Sequence, residues 1–233
     1  MGAKTSVLVA SGGDCRSALL GATGSDRGAT EELVRSLFPG RSVALTDDAG
    51  SLGDLYPQPG ICLAGVFPSV TVVASMWSTA DRPSALPAAV RDGLGHPRVV
   101  LHAMHSAVDW LAFAVWERGR LVRAISLAPD YGIIENIGDP LPVEAPFWAG
   151  VHPVDGDYSL PFHPLELGEE LLADQFGFIL EGFERPDLFD PYDKPLWVFA
   201  VDDEGIPLRE SSTAPSASPP AETPRRRRFG FRR

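Results

Sequence analysis

The sequence predicts an α+β fold, with a mainly antiparallel or mixed sheet and helices packed against it. The strongest observation is a β-hairpin over residues 109–127. Strand-forming residues flank Arg118 and Gly119 there, and the glycine supplies the positive φ of a tight turn. Two short apolar runs, KTSVLVA from Lys4 and PLWVFAV from Pro195, are typical of buried strands. An apolar fraction of 44% over 233 residues is sufficient for a hydrophobic core.

The hairpin is expected to be covered on both sides. Successive strand residues point to opposite faces. One face of its first strand carries Leu111, Phe113 and Val115, and the other carries Trp110, Ala112, Ala114 and Trp116. A further strand starts at Arg98, and Glu117 and Arg120 face each other across the turn with opposite charges. Because both faces are apolar, the sheet is predicted to be buried on both sides.

The other elements follow from capping residues and apolar periodicity. Strands are predicted at residues 42–45, 61–67 and 70–76, and helices at 15–20, 29–38, 86–94 and from His163 to a stop at Gly182. Thr30 is predicted to cap the second helix, and Pro87 is tolerated in the first turn of the third. Residues 47–59 and the Pro- and Gly-rich stretch 129–164 are predicted to be loops, the second either packed or covering a site.

Composition divides the chain into two parts. Residues 1–205 are predicted to form a single globular domain, and residues 206–233 a disordered Pro/Ser-rich linker with a basic tail, since SSTAPSASPPAETP has no large apolar residue. The net charge is −11, and the segment from Arg209 onward carries +5, which leaves −16 on residues 1–208. Such an acidic body repels nucleic acid and anionic membranes.

The tail ends in RRRRFGFRR, in which two phenylalanines are interleaved among six arginines. One interpretation is a weak contact with nucleic acid or an anionic surface through charge and stacking, made by Arg225, Arg226, Arg227, Arg228, Phe229 and Phe231. The alternative is a solvated tail without a partner. The body itself is expected to bind an unidentified protein or small-molecule ligand.

The sequence also indicates a cytoplasmic protein. Apolar runs are interrupted before they reach membrane-spanning length, and the first one ends in Gly-Gly-Asp, which is unlike a secretory signal. Cys15 and Cys62 are expected to be reduced thiols, and no cofactor or metal site is predicted.

The first candidate site is the turn Gly12, Gly13 and Asp14, which follows a strand and precedes a short helix. It resembles the SGGxDS pyrophosphate-binding loop of N-type ATP pyrophosphatases, where backbone amides hold the phosphates. One residue is missing here between the second glycine and the aspartate, so the register differs. The alternative is that the two glycines form a simple turn.

The second candidate is His105 with Asp109, as a ligand-binding or catalytic pair. His102 lies three residues before His105, so on a strand the two imidazoles point to opposite faces and do not share a ligand. The alternative is that His105 and Asp109 are hydrogen-bonded groups that shape the turn before the hairpin.

Carboxylates within the Pro- and Gly-rich stretch form a third candidate set. They are Asp130, Glu135, Asp139, Glu144, Asp155 and Asp157. Spread over such a stretch, acidic residues more often keep a loop soluble. The sequence has no GxSxG elbow, Walker loop, HExxH motif or complete GxGxxG motif.

A family resemblance rests on three blocks: MGAKTSVLVASGGD, LHAMHSAVDWLAFAVWERGRLVRAISLAPDYGIIENIGDPLPVEAPFWAGVHPV and LPFHPLELGEELLADQFGFILEG. They resemble an actinobacterial family of domains of unknown function, over essentially residues 1–200. In that family the start is similar to KTALLVYADGD, a strand followed by an acidic turn, which places Asp14 in the family pattern. The resemblance implies one structural unit with an appended tail, and it implies no activity, cofactor or catalytic residue.

These observations favour a cytoplasmic binding or regulatory module without a complete catalytic constellation. The alternative is a nucleotide-binding protein or an enzyme that uses Asp14 in its glycine turn or His105 with Asp109. Convergence of Asp14, His105 and Asp109 in one open pocket would favour the enzyme. Their separation, with each side chain satisfied by the backbone, would favour the binding module.

Overall fold

The computed structural model describes residues 2–154, 158–183 and 185–202, apart from the side chain of Trp77. The strands are β1 Lys4–Ser11, β2 Val43–Ser51, β3 Ile61–Val66, β4 Val70–Ala74, β5 Arg98–His105, β6 Trp110–Glu117, β7 Arg120–Ala128, β8 Gly132–Ile137 and β9 Pro195–Val201. The helices are α1 Cys15–Leu20, α2 Arg27–Leu37, α3 Ala88–Gly93, α4 Ala145–Trp148 and α5 Pro164–Phe176. Short 3-10 turns occupy Met76–Ser78, Pro83–Ala85, Pro142–Glu144 and Pro191–Asp193.

The described strands form one nine-stranded sheet in the order β2-β9-β3-β4-β1-β5-β6-β7-β8. Each pair of neighbours is antiparallel. The predicted α+β class with an antiparallel sheet is therefore confirmed. β1 is the central strand of the sheet. Residues that flank its two termini therefore lie at opposite ends of the strands.

Both faces of the sheet are buried, as the hairpin predicts. On the front face, which carries α1, α4 and α5, Phe113 of β6 shares a core with Leu171 of α5. On the back face, which carries α2 and α3, Trp116 of β6 shares a second core with Val34 of α2. The alternation of apolar residues along β6 is the cause, since each face supplies one core.

The β6–β7 hairpin is confirmed in register and turn type. Glu117 pairs with Arg120 across the turn, and both turn residues have positive φ, 51° for Arg118 and 77° for Gly119. Two positive φ angles match the twist of the flanking strands. The ionic partner of Glu117 is Arg98 of β5, so Arg120 does not supply the expected attraction.

Two sheet segments were wrongly expected to be loops. β2 continues to Ser51 through a register shift between Leu45 and Ala49, where a bulge accommodates polar residues on an edge strand. The stretch 129–164 contains β8 and α4. β8 is also an edge strand. The Glu135 side chain on β8 is buried, and its carboxylate accepts hydrogen bonds from Ser84 N and Oγ.

Helix ends also differ from the expected positions. α2 is capped by Asp26, whose Oδ1 accepts from Ala29 N at 2.9 Å, because Thr30 lies inside the helix and its hydroxyl accepts from Val66 N. α5 ends at Gly177, which adopts the left-handed conformation with φ 85°, rather than at Gly182.

The longest helix among the described residues, α5, has 13 residues, and none of the described helices has the length and apolarity needed to cross a bilayer. The disordered linker and basic tail predicted for residues 206–233 lie outside the described residues.

Candidate functional site

A groove of about 1240 Å³ opens on the front face, beyond the C-terminal end of α5. Its apolar floor is formed by β2, β3 and β9, through Gly50, Ile61, Leu63 and Val198. Position 50 has no room for a side chain, because a Cβ there would lie 2.8 Å from Val198 Cγ2 and 2.9 Å from Leu63 Cδ2. Leu63 and Val198 belong to the buried core beneath the groove, whereas Gly50 and Ile61 are half-exposed and form the accessible part of the floor.

Loops from distant parts of the chain form the groove walls. The loop after β2 is tied to the start of β1, because Ser6 N donates to Leu55 O at 2.6 Å. The Tyr192 ring lies directly against Gly53, where an added Cβ would come within 2.4 Å of it. These contacts hold the tyrosine beside the apolar floor, so the wall presents aromatic surface as well as polar atoms.

Four carboxylates line the groove: Asp48, Asp54, Glu181 and Asp190. Asp54 accepts from Ser51 Oγ at 2.6 Å, and Asp190 accepts from Tyr192 N at 2.9 Å. Within the described residues none of the four carboxylates forms an ion pair. Among the described residues that line the groove, Lys4 is the one with a cationic side chain. A concave surface with an excess of one charge concentrates ions of the opposite sign.

Glu169 of α5 fixes the wall that carries Glu181. Its carboxylate accepts from Leu180 N at 2.9 Å and from Glu181 N at 3.2 Å. Burial raises the pKa of Glu169 to about 7, against these two hydrogen bonds, and the nearby charges of Glu181 and Glu170 raise it further. The wall is thus held by a carboxyl group that changes charge near neutral pH.

Glu169 is expected to make stability fall as the pH rises. Its folded pKa lies above the ordinary value of 4.5, so the folded state binds its proton more tightly. The stabilisation is present below pH 4.5 and is lost by about pH 7. Between pH 5 and pH 8 the melting temperature of the wild type relative to Glu169→Gln should fall by about 5 °C.

The control is Glu32→Gln, at an exposed position on α2. Thermal denaturation of the three proteins at both pH values measures the effect. An equal pH response of wild type and Glu169→Gln would contradict the role of this carboxyl group.

His105, the last residue of β5, lies beside the groove and pairs with Lys4 at the start of β1. Its ring meets the Tyr56 ring edge-on at 5.5 Å, and Tyr56 also lies under Lys4 Nζ at 5.5 Å. The Nδ1 atom accepts from Ala107 N at 3.2 Å, so Nε2 carries the hydrogen of the neutral ring. Burial, and then the charge of Lys4, lower the pKa of His105.

Asp109 faces His163 rather than His105. Asp109 adopts a left-handed conformation with φ 46°, and its Oδ2 lies 3.6 Å from His163 Nε2. His163 caps α5, because its Nδ1 accepts from Leu165 N at 3.3 Å. Its ring stacks on Tyr158 at 5.8 Å. The Nδ1 lone pair is thus occupied, and Nε2–H points toward the carboxylate.

His102 points to the front face, and the predicted separation from His105 is confirmed. It is fully buried under α5, where its Nε2 donates to Gly168 O at 2.9 Å and its Nδ1 accepts from Thr5 Oγ1 at 2.7 Å. Burial lowers the pKa of His102 to about 4. The imidazole is a neutral structural group without access to solvent.

The Gly12-Gly13-Asp14 turn lies at the opposite end of β1 from His105. Lys4, the first residue of β1, pairs with His105. Asp14 comes three residues after Ser11, the last residue of β1. The eight residues of β1 span about 25 Å. Asp14 caps α1 by accepting from Ser17 N at 2.7 Å. Burial opposes ionisation of Asp14, but hydrogen bonds from Ser17 and the charges of Arg98 and Arg16 lower its pKa on balance.

The acidic set of residues 129–164 is dispersed. Glu144 is fully buried in an ion pair with Arg123, and Glu135 is buried against Ser84. Asp130 and Asp139 are exposed, whereas Asp155 and Asp157 lie outside the described residues, as do Arg225–Arg228, Phe229 and Phe231. Over the described ranges no group of three or more His, Cys, Asp or Glu side chains could hold a metal ion.

The groove residues were missed by reasoning from the sequence. Its acidic groups come from segments far apart in the chain, so no spacing pattern links Asp48, Asp190 and Glu181. His163 was read only as a helix start, although it is the residue that faces Asp109.

Comparison with known families gives one match: residues 5–199 fit the Family of unknown function (DUF6928). No curated protein and no solved structure matches the chain. The match runs from β1 to β9 and includes every helix described above, and of the strands it omits only Lys4 in β1 and the last two residues of β9.

Proposed function

The chain belongs to the Family of unknown function (DUF6928), and from its groove we propose that it is a binding or regulatory module for a small organic cation. The ligand class is an amine or guanidinium compound with an apolar stem. A reducing, cytoplasmic setting is part of the proposal, and the free, buried thiols of Cys15 and Cys62 support it.

The observation that carries the proposal is an acidic rim above an apolar floor. Asp48 and Glu181 are exposed at the rim, while the half-exposed side chains of Ile61, Ile179 and Leu180 supply the accessible apolar surface of the groove. Methylene groups gain free energy by covering such a surface, and charged nitrogen atoms can donate to the carboxylates. The two parts of the ligand therefore find complementary surfaces in one groove.

The hydrogen bonds of three histidines, His102, His105 and His163, argue against a catalytic role for these three rings. The Nδ1 atoms of His102, His105 and His163 already accept a hydrogen bond, so their neutral rings have no free basic nitrogen for proton abstraction. The alternative of nucleotide binding at Asp14 requires free amides of the glycine turn, yet Gly13 N already donates to Ser11 Oγ at 3.3 Å. These contacts support a module that holds its ligand without transforming it.

Spermine, a polyamine with apolar segments, is a suitable probe. Isothermal titration calorimetry with the full chain should show binding, and the double variant Asp48→Asn, Glu181→Gln should weaken it about tenfold, since each rim contact contributes about 0.5–1 kcal/mol. Neither side chain has a hydrogen-bond or ion-pair partner within the described residues, so the fold should be unaffected.

The matched control is Asp92→Asn, Asp130→Asn, which changes the net charge equally at exposed positions outside the groove. Its affinity should stay within about twofold of the wild type, because distant surface charges are screened by salt. Equal weakening in both double variants would reduce the effect to overall charge and overturn the proposal, as would the absence of binding to the wild type.

A further inference from the structure

We propose that the basic tail, residues 225–233, occupies the acidic groove of its own molecule and competes with the cationic ligand. This inference rests on the proposed function, because it treats the groove as a cation site. It makes the tail an autoinhibitory segment rather than a binder of nucleic acid.

Charge complementarity is the first argument. The tail RRRRFGFRR contains six arginines and no acidic residue. Four carboxylates line the groove and none of them has an ion-pair partner within the described residues. Guanidinium groups bind carboxylates through two parallel hydrogen bonds, which makes arginine well suited to this rim.

The apolar content of the tail matches the groove in the same way. Phe229 and Phe231 are two residues apart, and an extended segment presents such residues on one side. That side can cover the half-exposed apolar side chains of Ile61, Ile179 and Leu180 while arginines meet the rim. Guanidinium groups can also stack on the exposed Tyr192 ring. A tail with arginines but no phenylalanines would pair with the carboxylates of the rim and leave the apolar part of the groove uncovered.

The position where the described chain ends is the third argument. β9 ends at Val201, whose N donates to Gly60 O at 2.8 Å, and the neighbouring Ile61 lines the groove. Residues 203–224 connect this point to the tail, and a coil of 22 residues spans about 25 Å. The linker therefore leaves the described chain close to the groove, and it is long enough for the tail to reach the groove.

Tethering makes even a weak contact effective. A short connection gives the tail a local concentration on the order of millimolar at the groove. Spermine must then displace the tail, so replacing Arg225, Arg226, Arg227 and Arg228 by serine should tighten spermine binding by about fivefold to tenfold. The same replacement should have no effect on spermine binding in the Asp48→Asn, Glu181→Gln background.

A spin label on the tail tests the contact directly. Cys15 and Cys62 are buried, so a nitroxide reagent should label the full chain at Gly230→Cys alone. In spectra of the ¹⁵N-labelled protein, we expect amide signals of residues 53–56 and 179–181 to be broadened. Asp48→Asn with Glu181→Gln, or high salt, should restore these signals, since both weaken the attraction.

Three controls give each outcome a meaning. Mixing spin-labelled unenriched protein with unlabelled ¹⁵N protein detects tails acting between molecules, and broadening that appears equally there overturns the intramolecular proposal. Unchanged groove signals in the spin-labelled chain overturn it as well, and if added RNA alone then perturbs the label, the tail is a nucleic-acid segment. If the spin label leaves the groove signals unchanged but spermine still shifts them, the tail proposal fails and the proposed function stands. If neither the spin label nor spermine affects the groove signals, both proposals are rejected.

Discussion

Arg123→Met is expected to lower the free energy of unfolding by about 3–5 kcal/mol, because it leaves a buried carboxylate without its cation. Arg123 Nη2 lies 2.6 Å from Glu144 Oε2, and both side chains are completely excluded from solvent. Arg123 Nε donates to the other carboxylate oxygen at 2.8 Å. This bidentate pair joins β7 to the turn that precedes α4.

The remaining hydrogen bonds of the pair explain why its loss should be large. Arg123 Nη1 donates to the carbonyl oxygens of Ile137 and Gly138, and Glu144 also accepts from Trp148 Nε1 at 3.2 Å. Gly138 approaches so closely that a Cβ would lie 2.0 Å from Val122 O. Removing the guanidinium group therefore orphans several buried acceptors at once.

Urea denaturation at neutral pH measures the loss. Arg120→Met is the matched control, since Arg120 is exposed on the same strand, and it should change stability by less than about 1 kcal/mol. The double variant Arg123→Met, Glu144→Met should recover part of the loss, because neither charge then remains buried. Equal stabilities of Arg123→Met and Arg120→Met would contradict this account of the pair.

His102 is expected to destabilise the fold in acid by about 3 kcal/mol, as estimated from the size of its pKa shift. Its folded pKa of about 4 lies below the ordinary value of 6.5, so the unfolded state binds the proton more tightly. The stabilisation is fully present above pH 6.5 and is lost as the pH falls toward 4. Glu169 acts in the opposite direction, since its folded pKa is raised.

Comparison with His102→Gln isolates this effect. Glutamine does not titrate, so the stability advantage of the wild type at pH 7 should shrink by about 3 kcal/mol at pH 4. Urea denaturation at both pH values gives the difference. His152→Gln, near the surface, shows how much of the change in stability with pH follows from replacing any histidine. A constant advantage of the wild type from pH 7 to pH 4 would show that the buried imidazole is not the origin.

Local chemistry made the central sheet predictable. Alternating apolar residues from Trp110 to Trp116 and the glycine at position 119 encode the hairpin within one short segment. β8 and the second half of β2 were not predictable because both are edge strands in which apolar and polar residues do not alternate with the buried and exposed positions. The partner that buries Glu135 is Ser84, in a distant turn.

The site was less predictable than the fold, for a physical reason. A groove is formed where loops meet, and its residues need no common spacing in the sequence. Asp14 and His105 attracted attention through local patterns, yet they lie at opposite ends of β1. Their suggested roles remain predictions, whereas the acidic rim around Asp48 and Glu181 is visible only in the folded chain.

The most direct test of the groove as a cation site is a map of backbone amide shifts in the ¹⁵N-labelled full chain during a spermine titration. The account predicts that the largest shifts fall on residues 48–50, 53–56 and 179–181, which line the groove. Large shifts confined to the turn at Asp14 or to the exposed acids Asp130 and Asp139 would contradict it, as would the absence of shifts at saturating spermine.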